Sequence, residues 1–574
     1  MLSPTARRQR SCRRAVGGRE EMRTGEPGAF APGRTLSTLR VWCAAGCDAR
    51  HSGSARWMWI ATLIACWFVP GVTEAQPRRI TLPANDPAGI VVPTGSSELD
   101  AAWANYLRLW RRIGAEPDAA TPRRLLGLPL DGERDDRVTR PTRSPRGLRL
   151  PRRHLIRVQT PLLIVDSTAS PTDTLLVAKH LHRVHWAWTQ LFFPLWRSAR
   201  SVQIAIGGGI DDEQIGHRRI SRGSPMRVVL LRDASEYRSV LSAVDGIERS
   251  TGYYDPAARR SYFYVGDDVD GRRARQHEWV HQLFAEATDR EASTRRRPVG
   301  RDSDFWLIEG IAGYFESFDR IADRREVLGG WDCSRLQYAR LRRAVGQSPT
   351  SLAVLRPMGR IAAQASSDLA GWYNDSILWT HALMSDATGR QWLLGRLAGM
   401  YDVQTGLDDS GDPPRVDVTE FLKVDDAMMV ADPSPRRLTD LCLAGCGIGD
   451  QAMASVGQWS ELRWSELRWL DVAGCPLTDA SMVPVLSEAT KLEELDVTQT
   501  RITDRSIDAI GSRILRVLFA TGTGVSDASI GRLSNLPRLQ TLDVQATEVN
   551  LPEVKRLREN RPGLDVNSRV IRQP

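Results

Sequence analysis

His277-Glu278-Trp279-Val280-His281 places two imidazoles four residues apart with a carboxylate beside the first. The surrounding stretch, Arg272–Ala287, has helical spacing, with Val280, Leu283 and Phe284 available to a core. On such a helix the two histidines project from one face, one turn apart, and can grip a single zinc ion. Glu278 lies beside that face, where it can take a proton from a metal-activated water instead of ligating. Histidine pairs at this spacing also occur without metal, so the motif needs a third ligand. One stands 28 residues on, in Trp306-Leu307-Ile308-Glu309-Gly310-Ile311-Ala312-Gly313-Tyr314-Phe315-Glu316. Glu309 is a carboxylate inside an apolar helical run, and burying it unpaired would be costly. The plainer alternative is an exposed glutamate on an amphipathic helix. Gly310, Ala312 and Gly313 keep this second helix slim, and close approach to the histidine helix is the expected consequence. Glu316 falls on roughly the same face as Glu309 and is better placed to orient an imidazole through its free N–H than to ligate.

Several elements must position these residues. Leu155–Val165 reads as two short strands, Ser170-Pro171 opens a long helix running through Trp196, and Met226–Leu231 is a buried strand. Tyr253–Val265 reads as a hairpin. His180, His182 and His185 lie on the long helix but point to different faces, as ordinary helix histidines do. Gly207-Gly208-Gly209 has no Lys-Ser/Thr behind it and is read as a plain loop. Upstream, Leu99, Trp103, Tyr106, Trp110 and Ile113 recur at three- and four-residue steps, giving an amphipathic helix over 97–113. A Pro- and Arg-rich linker follows over 114–153.

A His-Glu-x-x-His helix followed by Trp-Leu-x-Glu-Gly-x-Ala-x-Tyr-Phe-Glu resembles the gluzincin-type metallopeptidases, and most of all the peptidase MA-like family of exported bacterial proteins. The resemblance covers about 155–400. It includes Thr251-Gly252-Tyr253-Tyr254-Asp255 upstream and His281-Gln282-Leu283-Phe284. It implies zinc held by His277, His281 and Glu309, with Glu278 catalytic. The long charged interval Glu286–Ser303 departs from the pattern and weakens any inference about substrate. Related peptidases use a later Tyr or His to steady the tetrahedral intermediate. Tyr373, in Gly371-Trp372-Tyr373-Asn374-Asp375-Ser376, has a suitable place in the chain, with His381 the second choice.

From Leu438 the chain repeats itself. Leu438-x-x-Leu441-x-Leu443-x-x-Cys446-x-Ile448-x-Asp450 returns at Leu467, Leu492 and Leu515, and in part at Leu539, with pitches of 29, 25, 23 and 24 residues. Ser460–Trp464, duplicated as Ser465–Trp469, lengthens the first interval. This resembles the leucine-rich repeat family, in which each unit supplies a short parallel strand and a helix, here expected to be capped near its Asp. Cys446 and Cys475 fill the slot of Thr500 and Thr523, and are expected to be core residues.

Most of the net charge of +9 lies in residues 1–56, which hold +7; residues 76–574 carry only +3, which gives no case for a nucleic-acid partner. Residues 1–56 read as an unstructured basic extension. Arg56, the apolar run Trp57–Val72 and Thr73-Glu74-Ala75 read as a signal peptide over 57–75, or else a retained membrane anchor. Leu63-Ile64-Ala65-Cys66 resembles a lipoprotein box, but the apolar residues after Cys66 disfavour that reading. Four cysteines remain after such a cut, Cys333, Cys442, Cys446 and Cys475, too few for a disulfide framework. The expectation is an exported chain with three parts after the cut. Residues 76–153 hold the helix and linker, and 154–430 an α+β zincin-like metallopeptidase domain. An α/β leucine-rich repeat solenoid follows over 438–560, separable from the metallopeptidase domain near Pro433. The expected activity is zinc-assisted hydrolysis of a peptide or protein substrate, with the repeats recruiting substrate or a protein partner. The competing expectation is a zinc-containing surface protein that only binds, through its repeats.

Overall fold

The computed structural model describes residues 79–568 except 117–118, 129–136, 146, 149, 152, 207–223, 245, 267–268, 289–297, 321–324, 331–332, 345, 408–410, 423–437 and 458–462. The expected basic extension and signal segment, the Gly207–Gly209 loop and the middle of the charged interval, 289–297, lie outside the described residues. No helix among the described residues is long and apolar enough to cross a membrane.

The described residues begin with strand β1 (Arg79–Leu82), helix α1 (Ser97–Ala115), β2 (Arg137–Thr139), β3 (Ile156–Gln159), β4 (Leu163–Ser167) and α2 (Pro171–Leu191). Next come β5 (Met226–Leu231), the hairpin β6 (Gly252–Asp255) and β7 (Arg260–Tyr264), α3 (Val269–Glu286) and α4 (Phe305–Tyr314). After these follow β8 (Asp319–Arg320), β9 (Glu326–Gly329), α5 (Ser334–Ala344), α6 (Leu369–Met384) and α7 (Ala387–Tyr401). A six-stranded mixed sheet has the order β2-β3-β4-β5-β7-β6, parallel only at β4–β5 and β5–β7. β5 reads Met-Arg-Val-Val-Leu-Leu because it is a central strand covered on both faces. Val228 and Leu230 enter the main core, while Val229 and Leu231 pack with Tyr237 and Tyr262 on the other side.

Segment 76–153, expected as a helix and a linker, also supplies two strands. β1 pairs antiparallel with β9 and β2 antiparallel with β3, so hydrogen-bonded ladders cross the expected boundary at 153. The amphipathic stripe of α1 behaves as its spacing suggests. Trp103 and Tyr106 are fully buried; the Trp103 indole donates to Gln190 O at 2.8 Å, and the Tyr106 hydroxyl meets Thr189 at 2.8 Å.

Residues 440–567 form a second body. Six strands, β10 (Asp440–Cys442), β11 (Trp469–Asp471), β12 (Glu494–Asp496), β13 (Val517–Phe519), β14 (Thr541–Asp543) and β15 (Asp565–Asn567), pair in parallel and strictly in chain order. The repeated leucines, such as Leu441, Leu470, Leu495, Leu518 and Leu542, line up in register and share one core. The repeated aspartates do not cap their own helices. Thr478, Thr503 and Ser526 do that, and each aspartate reaches into the following unit. Asp479 Oδ1 accepts from the Thr503 amide at 2.9 Å and from Ser506 at 2.5 Å, while its Oδ2 accepts from the Thr503 hydroxyl at 2.6 Å. Asp450 and Asp504 make the same bonds to Thr478 with Ser481 and to Ser526 with Ser529. Cys475 is fully buried, as its slot suggests, but Cys446 is only half-buried and accepts from Arg340 at 3.2 Å.

The array is docked on the first body through α5. Tyr338 and Leu341 of α5 pack against Cys442 and Trp469, and Gln337 accepts from the Cys442 amide at 2.9 Å. Arg273 on α3 completes the junction, donating to Asp440 at 3.1 Å, Thr439 at 3.1 Å and Ser334 at 3.2 Å.

Candidate metal centre

The centre is assembled by α3 and α4. α3 carries His277, Glu278 and His281 on one side, while Trp279, Val280 and Leu283 are buried on the other and the Trp279 indole donates to Leu181 O at 3.0 Å. That anchorage sets the rotation of α3 and hence the direction of both imidazoles, whose ring centroids lie 4.8 Å apart. Glu309 enters from α4, near its middle. His277 Nε2 lies 3.2 Å and His281 Nε2 3.6 Å from the same oxygen, Glu309 Oε2. One ligand atom from each of the three residues falls within 4.8 Å of the others. The three residues singled out from sequence are thus brought to one point.

α4 ends at Tyr314, and a tighter turn over Phe315–Ser317 carries Glu316. Its Oε1 accepts from His277 Nδ1 at 3.0 Å, which leaves Nε2 as the nitrogen turned inward. A carboxylate on the outer nitrogen fixes the ring and raises its basicity as a ligand. The slim face of α4 does not serve the approach to α3. A Cβ on Gly310 would meet Thr380 Oγ1 at 2.1 Å and Ser376 O at 2.6 Å, and one on Gly313 would meet Ile377 at 2.2 Å, all on α6. The glycines therefore press α4 against α6, a correction to the sequence reading, while Glu309 faces the histidines.

The electrostatics follow from burial. Burial alone would discharge His277, but its bonds to Glu309 and Glu316 outweigh that and push its pKa up to about 10. Burial opposes ionisation of Glu309 too, but the charge of His281 and the bond to His277 hold its pKa well below the ordinary carboxylate range. Glu278 has no such compensation. Burial raises its pKa, and the nearby histidines and the Tyr254 amide only partly offset this. Two glutamates on neighbouring elements thus have pKa values pushed in opposite directions, the pattern that separates a ligand from a proton acceptor.

Glu278 is the first of three polar residues, with Gln282 and Glu286, that α3 turns toward the hairpin. Glu278 Oε2 accepts from the Tyr254 amide at 3.0 Å. Gln282 accepts from Ser261 at 2.6 Å and donates to Glu286 at 2.9 Å, and Glu286 also accepts from Tyr254 Oη at 3.4 Å and Arg259 at 3.3 Å. The sequence reading singled out neither Gln282 nor Glu286. Their signal was present as the i, i+4, i+8 spacing from Glu278, a polar row on an otherwise buried helix.

Tyr373 and His381 both lie on α6, but in different surroundings. Burial first, then the negative charges of Glu309 and Glu278, holds the Tyr373 phenol well above its ordinary pKa, so it is a protonated donor within electrostatic reach of the centre. His381 packs against Tyr314 with ring centroids 4.7 Å apart and the planes tilted by 60°, and burial alone pushes its pKa down to about 3. His180 is half-buried and set edge-on to Phe318, and His182 meets Thr160 at 2.9 Å, away from the centre.

The donor set fits a divalent ion. Two inward nitrogens and one carboxylate oxygen converge in a buried place, with an acceptor behind one imidazole; nitrogen and oxygen donors of this kind suit zinc. No other group of three or more His, Cys, Asp or Glu among the described residues is arranged to hold a metal. Neither the family models nor the curated proteins with which the sequence was compared give a match.

Proposed function

We propose that the chain is an exported zinc-dependent peptidase, with His277, His281 and Glu309 holding the metal and Glu278 as general base. The observation that carries this is the convergence of the three ligand atoms within 4.8 Å, with a raised-pKa carboxylate on the adjoining residue. Bound zinc would supply Lewis acidity, polarising the scissile carbonyl and acidifying a water. Glu278 takes the proton from that water and passes it to the leaving amine, a role for which a carboxylate of raised pKa is suited. Glu316 holds the His277 ring, and Tyr373 offers a phenolic hydrogen to the oxyanion as it forms. Residues 438–560 resemble leucine-rich repeats, and we assign them the recruitment of a protein partner or substrate. The outer faces of β10 and β11 already meet α5, which leaves β12–β15 for that task.

The test is elemental analysis of the purified chain followed by digestion of a quenched-fluorescent peptide library. One zinc per chain and cleavage are expected. Glu278→Gln should keep the zinc and lose about 10²–10⁴-fold in rate. Activity within about tenfold of wild type would remove Glu278 from the role of base. Zinc without cleavage would favour a protein that only binds.

A further inference from the structure

The polar row of α3 meets the hairpin at its edge strand, β6, and this contact falls on the residue that the proposed reaction uses as its base. We propose that β6 is a positioning element for Glu278, in which Gly252 and the Tyr254 amide fix its carboxylate and Glu286 holds β6 in place to do so. The proposal rests on the reading of Glu278 as general base.

Three contacts carry it. The Glu278 stem lies flat across β6 at Gly252, where a Cβ would come to 3.1 Å from Glu278 Cγ and 3.3 Å from the Phe263 ring. Any side chain there would push the stem away. Beyond the stem, Oε2 takes the Tyr254 amide at 3.0 Å, while Oε1 accepts from none of the described residues and is left for the reaction. Tyr254 is itself held at both ends. Its amide is bonded to Glu278, and its phenol reaches Glu286, where Gln282 and Arg259 also converge. The row Glu278–Gln282–Glu286 therefore bolts two turns of helix to two residues of strand, and a backbone donor, which costs no side-chain entropy, orients the base. Such preorganisation acts on turnover, because it sets the line between carboxylate and water without touching the metal ligands.

The experiment uses the full chain. Tyr254→Pro deletes the amide donor at a position where that N–H points at Glu278, on an edge strand that tolerates proline in such places. Tyr254→Phe keeps the amide and is the conservative rescue, and Gly252→Ala adds the obstructing Cβ. On one quenched-fluorescent peptide that wild type cleaves, Tyr254→Pro and Gly252→Ala should lower kcat by about tenfold or more, with KM and zinc content unchanged. Tyr254→Phe, which keeps the amide and loses only the phenol's bond to Glu286, should lower kcat by less than Tyr254→Pro does. The second readout needs no activity: amide hydrogen exchange across residues 252–256 should quicken about tenfold at Tyr254 in Glu278→Ala. Unchanged exchange overturns the proposal, as does loss of zinc along with kcat in Tyr254→Pro, which marks a merely structural strand. A zinc-loaded wild type that cleaves nothing sinks the peptidase reading, while the exchange result still decides the clamp.

Discussion

Gly310→Ala is expected to destabilise the first body by about 2 kcal/mol, although alanine is the better helix former. The added methyl would lie 2.1 Å from Thr380 Oγ1 and 2.6 Å from Ser376 O. Neither atom can step aside alone. Ser376 O is backbone of α6, and the Thr380 hydroxyl is bonded to it at 2.9 Å. Relief requires α4 and α6 to part by most of an ångström. Forcing a methyl group into a packed core costs about 1–3 kcal/mol, and the upper end applies because the obstruction is backbone. Replacing glycine by alanine inside a helix returns about 1 kcal/mol, which leaves roughly 2 kcal/mol against folding if relaxation is poor. The parting of the helices also carries the neighbouring Glu309, so zinc affinity should fall. Gly531→Ala is the control: it lies in the short helix Ile530–Ser534, is exposed, and has nothing within 4 Å of its Cβ position. It should gain about 0.5–1 kcal/mol. Urea unfolding followed by tryptophan fluorescence reads both, with zinc affinity measured by chelator competition. Gly310→Ala as stable as wild type, with unchanged zinc affinity, would refute the reasoning.

Further outcomes are expected. Zinc binding must displace the proton that His277 holds up to about pH 10, so apparent affinity should climb about tenfold per pH unit from pH 6 to 8, with one proton released per ion in buffers of different ionisation heat. In the metal-free chain the sign reverses for stability: the raised His277 pKa contributes fully below its ordinary value of 6.5, and the contribution is lost as pH rises through about 10, which metal-free urea titrations should show. Asp479→Ala removes three hydrogen bonds to the next unit and should cost about 1.5–3 kcal/mol by urea unfolding. The depressed pKa values of Asp450, Asp479 and Asp504 mean that this contribution is present above the ordinary value of 3.8 and fades as pH falls through the folded values, so circular dichroism should show acid loosening of the array there. Truncation after Pro433 should lower the melting temperature of the first body and make it associate in light scattering, because Tyr338 and Leu341 lose their cover and Arg273 its carboxylate.

What could be read from the sequence was local and periodic. The two histidines, the isolated Glu309 and the repeated leucines each announce a face, and periodicity states which residues share one. It does not state what lies opposite. Gly310 and Gly313 were recognisable as a close-packing face, but their neighbour is α6 instead of α3. The repeat aspartates were recognisable as helix-start residues, yet their bonds run to the next unit. The Tyr254–Glu278 bond depends on hairpin register and on the rotation of α3 together, and neither is encoded within a single stretch. Strands β1 and β2 are four and three residues long, too short for alternation to show, and their partners β9 and β3 define them.

The aspartate bonds between units also bear on how such an array can change length. Each unit offers a carboxylate forward and presents a hydroxyl pair, Thr478 with Ser481, Thr503 with Ser506, or Ser526 with Ser529, to the unit before it. These three joints are chemically alike, so deleting or duplicating a unit between them rebuilds the same joint, whereas the last, from Asp527 to the amide and side chain of Asn550, is built differently. The middle of the array is thus free to be lengthened or shortened in whole units without redesign. The first unit has no such freedom: Asp440 fastens it to the helix that carries the histidines, and Cys442 fastens it to α5.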